Sequence, residues 1–192
     1  MPHPNPAAFA FLQNRASYPA KLMQGPGPSR AELLPLLQTA ARSPDHGKLV
    51  PWRFIVLEKP ALQRLATLAG ARGLALGLEA EQIAKGVSQY GRADLVVMVV
   101  AAPKASPKVP QIEQTQSAAA VCLGLVNAAT AAGWAACWLS GWPVYDRAFV
   151  EAGLGLAPSE SVAGVIHIGR ETVPPIERPR PDLDAITLWL AE

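Results

Sequence analysis

Charge is scarce in this chain. Of 192 residues, 17% are Asp, Glu, Lys or Arg, and 17 basic against 15 acidic side chains leave a formal net charge of +2. A set so balanced and scattered gives no electrostatic footprint for nucleic acid. The densest basic pair, Arg178 and Arg180, lies among prolines. Cysteine is nearly absent: Cys122 and Cys137 stand in separate Ala-rich apolar stretches. With no C-x-x-C and no Cys/His cluster at metal spacing, both read as buried small hydrophobes in a reducing compartment. Long hydrophobic runs are also missing. The longest, Leu95 to Ala102, is far short of the roughly 20 residues that span a bilayer. The N-terminal Met-Pro-His-Pro-Asn-Pro has neither the basic start nor the apolar run of a signal peptide. A cytoplasmic protein with no nucleic-acid or membrane partner is expected.

Familiar catalytic patterns are lacking too. The three histidines, His3, His46 and His167, are far apart, and no H-E-x-x-H or Walker A segment exists. Gly153-Leu154-Gly155-Leu156 comes near a dinucleotide loop, but it follows a helical pattern where that loop follows a strand. Ser140, in Trp138-Leu139-Ser140-Gly141, lacks the upstream glycine of a nucleophile elbow. No catalytic side chain and no metal ligand is assigned.

What remains is apolar and alanine-rich: 50% hydrophobic, mean hydropathy +0.17, with 34 alanines. That content excludes disorder and supports one domain over residues 1–192 with a core that needs no disulfides. The 19 prolines and 15 glycines promise many breaks between elements. Asn5 and Pro6 start a short helix to about Asn14. Ser29 with Glu32 forms a capping box for a helix to about Arg42, with Pro35 expected to disturb its first turns. Strands are predicted at Trp52–Leu57, Leu95–Val100, Trp134–Leu139 and Ser161–Ile168. Helices are predicted over residues 60–90, Gln111–Ala132 closed by Gly133, and Asp146–Ala152. Two-sided strands among Ala-rich helices imply α-β-α layers around one sheet. Strand direction does not follow from the pattern.

Two polar loops stand out. In Asn14-Arg15-Ala16-Ser17 an arginine fork beside a hydroxyl suits a phosphate dianion, although an arginine there also balances a helix C-terminus. The second loop is Ser43-Pro44-Asp45-His46-Gly47-Lys48-Leu49-Val50-Pro51, leading into Trp52-Arg53-Phe54.

That second loop resembles the signature of the FMN-dependent nitroreductase family, in its short-chain bacterial branch. Four further segments are similar in order and spacing: Arg15-Ala16-Ser17, Lys108-Val109-Pro110 through Glu113, Gly133-Trp134 through Trp138-Leu139-Ser140-Gly141, and His167-Ile168-Gly169 with Arg178-Pro179-Arg180. The resemblance covers nearly the whole chain. It implies an α+β fold of three layers, α-β-α, with a central mixed β-sheet flanked by helices. It also implies a homodimer holding two FMN groups at its interface, with apolar faces of the 111–132 helix in the seam. By the same resemblance Arg15, Ala16 and Ser17 would line the FMN phosphate and ribityl chain. Arg42 and His46 would reach the flavin, His46 in the partner's site. Trp138, Leu139 and Ser140 would lie beside the flavin, and Arg180, with Arg178, would complete the phosphate cradle. For Trp52 and Trp138, core packing is favoured over stacking on the flavin.

The sequence departs from the family pattern in three respects. The glutamine before Pro-Trp is Val50 with Lys48 in place of the loop asparagine, the arginine of W-R-S is Leu139, and the basic residue after R-x-S is displaced, with Lys21 as stand-in. The activity implied is transfer of reducing equivalents from NAD(P)H through FMN to nitroaromatic, quinone or similar electron-poor acceptors, by a ping-pong mechanism. FMN supplies the chemistry, so no acid-base dyad is required. The alternatives are a flavin-binding sensor or carrier with little turnover, and a protein that kept the fold and lost the flavin.

Overall fold

The computed structural model describes residues 3–175 and 177–191. Among the described residues, seven α-helices and four strands follow in chain order: α1 Pro6–Asn14, α2 Arg30–Ala40, β1 Trp52–Glu58, α3 Lys59–Ala75, α4 Ala80–Gly91, β2 Leu95–Ala101, α5 Gln111–Ala131, β3 Ala135–Leu139, α6 Arg147–Leu154, β4 Ser161–Gly169 and α7 Leu183–Ile186. The expected elements are all present, and the caps explain several boundaries. Asn5 Oδ1 accepts from the Ala8 N–H at 3.1 Å. Ser29 and Glu32 form the reciprocal capping box, and α2 runs on through Pro35 as one helix. Gly133 closes α5 with φ +83°, the left-handed conformation that glycine adopts without penalty.

The sheet order is β1-β2-β4-β3, and all three pairings are antiparallel. The sheet is therefore antiparallel within one chain, where a mixed sheet was expected. Continuous apolar runs signal burial on both faces, which parallel sheets require, but helical cover provides it equally for antiparallel strands. Strand β2 shows the layering. Leu95, Val97, Val99 and Ala101 point to one core with Leu33, Val121 and Leu125 of α2 and α5. Val96, Met98 and Val100 point to a second core with Leu62, Leu65, Tyr90 and Phe149 of α3, α4 and α6. Tyr90 and Phe149 meet there with ring centroids 5.5 Å apart.

Alternation decides which residues α5 can leave outward. Its Ala118, Val121, Cys122, Leu125 and Ala129 are buried against its own sheet, leaving Ile112 and Leu123 exposed. The helix thus closes the core first, and Ile112 and Leu123 are the large apolar side chains it leaves exposed. Both cysteines are free and buried; burial pushes the Cys122 thiol up to about 12 and that of Cys137 to about 11. Trp52 is buried, as expected, but Trp138 is 40% exposed, because β3 is an edge strand rather than an interior one.

Trp142 fixes α4 against α3 and the segment after β3. Its Nε1–H donates to the Gln82 carbonyl at 3.0 Å, and the indole fills the space over Gly86, where a Cβ would stand 2.5 Å from Nε1. Gly86→Ala is expected to lower stability by about 1 kcal/mol, since overpacking outweighs the helical gain of alanine. A denaturant midpoint equal to or above that of the parent protein would show that the indole yields freely.

Candidate functional site

The segment after α1 lies along the outer edge of β3. The Tyr18 N–H donates to the Ala136 carbonyl at 2.9 Å, which satisfies part of the open strand edge. The Tyr18 hydroxyl accepts the backbone N–H groups of Thr172 and Val173 at 2.8 and 2.9 Å. Gln24 and Arg170 exchange backbone hydrogen bonds at 3.1 and 2.8 Å. Residues 15–24, β3 and the chain after β4 are thereby tied together.

A cleft of about 280 Å³ opens on the α5 side of β3, lined by Arg15, Ala16, Tyr18, Trp134 and Glu171 among others. The Arg15 Nη2 donates to the Ser17 hydroxyl at 3.3 Å, while its Nε is buried without a partner. Arg170 stacks over the Trp134 ring at 4.9 Å, a favourable cation–π contact. An unpaired guanidinium nitrogen beside a hydroxyl is a donor set prepared for an anionic acceptor.

A second cleft, of about 220 Å³, opens on the α4 side of β3, lined by Lys21, Lys85, Gln89, Arg92, Leu139 and His167 among others. Lys85 pairs with Glu81 at 2.7 Å; Lys21 and Arg92 have no ion-pair partner among the described residues. His167 is 4% exposed. Burial pushes its pKa down to about 4, so the imidazole is neutral at pH 7. Its Nε2 and the Gln89 Nε2 are both buried without partners.

The loop between α2 and β1 forms a third feature, resting on the N-terminal half of α5. The Ser117 hydroxyl donates to the Pro44 carbonyl. His46 Nδ1 and Glu113 Oε2 are 2.7 Å apart. The Asp45 carboxylate accepts the N–H groups of Leu49 and Val50 at 3.1 and 2.8 Å. These bonds hold Gly47, Lys48 and Val50 in left-handed backbone conformations, with φ of 76°, 54° and 49°. For a β-branched residue such as Val50 that is a strained geometry, of a kind that clusters at functional sites.

The nine expected site residues thus fall into separate places. Arg15 and Ala16 line the first cleft, and Ser17 is bonded to Arg15. Leu139 lines the second. Trp138 packs over Gly164, where a Cβ would stand 2.4 Å from the indole Nε1, and Ser140 is exposed just beyond β3. Arg42 and His46 belong to the third feature and are exposed. Arg180 pairs with Glu177 at 2.6 Å on the exposed C-terminal segment, outside both clefts. Sequence reasoning missed Tyr18, Gln89, Arg92 and, as a site residue, His167. Only Tyr18 carried a usable signal, an aromatic hydroxyl directly after the Arg15–Ser17 pair.

Comparison with known proteins decides the family. The sequence model of the nitroreductase family matches residues 13–170. The chain belongs to that family. Nitroreductase-family relatives include a Haemophilus influenzae protein 38% identical over 165 residues, covering 84% of this chain and 87% of the relative. An Escherichia coli K12 protein, YdjA, is 30% identical over 162 residues with the same coverages. Both bear the name "Putative NAD(P)H nitroreductase", which places the chain with the short bacterial type. Among solved structures, a nitroreductase-like family protein from Bacillus cereus superposes with a TM-score of 0.75 at 18% identity, covering 100% of this chain and 99% of the other. An FMN-dependent nitroreductase from Clostridium difficile R20291 gives 0.68 at 19% identity, covering 96% and 99%. These two establish the nitroreductase fold. Among the described residues no group of His, Cys, Asp and Glu could hold a metal ion, and no helix is long and apolar enough to cross a membrane.

Proposed function

We propose that this nitroreductase-family chain is an FMN-dependent oxidoreductase that passes reducing equivalents from NAD(P)H to electron-poor acceptors such as nitroaromatics or quinones, by a ping-pong mechanism. The observation that carries the reading is the Arg15–Lys21 segment along β3, with an orphaned arginine donor at one end and unpaired cations at the other. FMN needs basic donors for its phosphate, positive potential near N1 and O2 of the ring, and apolar surface between. Arg15 with Ser17 supplies the first, Lys21 and Arg92 the second, and Leu139 the third.

FMN held by these residues would supply the redox chemistry between nicotinamide and acceptor. The chain's own groups bind and orient. The Arg15 fork and the Ser17 hydroxyl hold the phosphate end. Lys21 and Arg92 favour negative charge at the ring. No side chain is required to move a proton between two protein groups.

A homodimer completes the proposal. Arg42 and His46 line neither of the two clefts beside β3, which suits the implication that His46 serves the partner's cofactor. Leu183, Ile186, Leu188, Trp189 and Leu190 are 66–86% exposed, and the open edge of β1 borders an apolar groove of about 410 Å³ lined by Leu33, Leu34, Leu37 and Val56. Apolar surface of this extent on both elements supports association.

Val50 and Leu139 in place of the family's polar residues favour one second reading, a flavin-binding protein with little turnover. Mixing the FMN-loaded protein with NADH or NADPH under anaerobic conditions is expected to bleach the yellow absorbance within a catalytic time, and the nitroaromatic or quinone is expected to restore it. Failure of both donors to bleach it would leave the binding protein as the better account.

A further inference from the structure

Beyond Arg170 the chain forms no helix or strand until α7, and Pro174, Pro175, Pro179 and Pro181 fall within this stretch. A proline has no N–H and cannot join a strand ladder. Among the described residues, every hydrogen bond tying residues 171–182 to the body of the protein is made at Thr172 and Val173, and all of them converge on Tyr18 and Leu22. The Tyr18 hydroxyl oxygen accepts the two backbone N–H groups at 2.8 and 2.9 Å. Thr172 Oγ1 gives its own hydrogen to the Leu22 carbonyl at 2.7 Å, so it is free to accept the Tyr18 hydrogen at 3.1 Å. The phenol is then saturated, with two bonds accepted and one donated. Tyr18 is 3% exposed, and its N–H is bonded to the Ala136 carbonyl of β3. A strand edge therefore fixes the oxygen on which the segment hangs.

The segment held in this way is a wall. Glu171 and Pro175 line the cleft of about 280 Å³ that Arg15 also lines. Pro174 and Pro175 follow the latch directly. Their φ angles are fixed, and a residue that precedes proline is pushed to extended conformations, so the direction set at Thr172 and Val173 is carried through to Pro175. We infer that Tyr18 is a positioning residue for the phosphate end of the flavin: its hydroxyl holds residues 171–175 as a wall of the Arg15 cleft and so governs how fast the phosphate leaves. The inference rests on the flavin reading above, which puts the phosphate at Arg15 and Ser17. Glu171 brings a carboxylate to this wall that has no ion-pair partner among the described residues. The wall therefore acts by contact and by excluding water, which strengthens a charged hydrogen bond inside the cleft, and not by its charge.

The test compares release of FMN and of riboflavin, which has the ring and no phosphate, from the full-length protein and its Tyr18→Phe variant. Phenylalanine keeps the buried ring and leaves both N–H groups without their acceptor. FMN release is expected to quicken about tenfold, as for loss of one well-made hydrogen bond, while riboflavin release stays as in the parent. The same change is expected in a Glu171→Gln background, where the repulsion between carboxylate and phosphate is gone. Should Tyr18→Phe fail to fold, Thr172→Val, at an exposed position, removes the bridge to Leu22 and is expected to act in the same direction. Parental FMN release in either background overturns the inference while the flavin function stands. Equal acceleration of both flavins also overturns it, because a loosened fold frees both alike. A parent protein that takes up neither flavin overturns the latch and the flavin reading together.

Discussion

Arg15→Ala is expected to weaken FMN binding by about 1.5–3 kcal/mol, which is ten- to more than a hundredfold in the dissociation constant. The magnitude follows from a charged hydrogen bond to a phosphate oxygen made at a site already prepared for it. The side chain is half-buried, its Nη2 is anchored on Ser17, and its Nε has no acceptor among the described residues. The same geometry fixes the sign of the effect on the flavin-free protein. Removing a buried donor that has no partner relieves a desolvation cost, so stability should be unchanged or slightly raised. Arg15→Lys retains the charge and loses the fork, and should fall between the two. Isothermal titration of the three proteins with FMN checks the order. Equal affinity across the series would remove Arg15 from the phosphate site, and a fall in stability of Arg15→Ala would mean that the guanidinium serves the fold.

Acidification should cost the flavin-free protein about 3 kcal/mol of stability through His167 alone. Its folded pKa is about 4 against an ordinary 6.5, because burial disfavours the imidazolium. Below pH 6.5 the unfolded chain binds a proton that the folded chain refuses. The contribution is therefore fully present above pH 6.5, declines as the pH falls, and is gone by about pH 4; the gap between the two pKa values sets its size. Titrating carboxylates such as Glu160, which its bidentate pair with Arg53 holds at about 2, are common to the parent and a His167→Leu variant and cancel in the comparison. The stability difference between the two proteins should therefore change by about 3 kcal/mol, in favour of the variant, between pH 7.5 and pH 4. A difference independent of pH would show that the imidazole is solvated when folded.

Much of the architecture was legible because it depends on local chemistry. Asn5 and Ser29 cap helices through their own side chains, and Gly133 ends one because its φ is positive. The β-branched run Leu95–Val100 had to be a strand covered on both faces. Strand direction was not legible, since helical connections can return the chain either way and burial looks the same. The site was legible in part. Arg15 and Ser17 are two residues apart and meet directly. Gln89 and His167 are separated by most of the second half of the chain and share a cleft only because α4 packs over the β3–β4 end.

The sequence by itself determined the family, the two-sided strands and the presence of a prepared arginine at residue 15, because all three rest on residue type and short-range order. Tertiary structure alone decided that the sheet is antiparallel, that Trp138 lies exposed on an edge strand, and that His167, distant in sequence from Lys21 and Arg92, is buried at the cleft those cations line. The reason is the scarcity of charge from which the sequence began. Apart from short loops such as residues 14–17 and 43–48, the few polar groups stand singly along the chain, and their effect arises where folding brings residues from distant segments into one water-poor space.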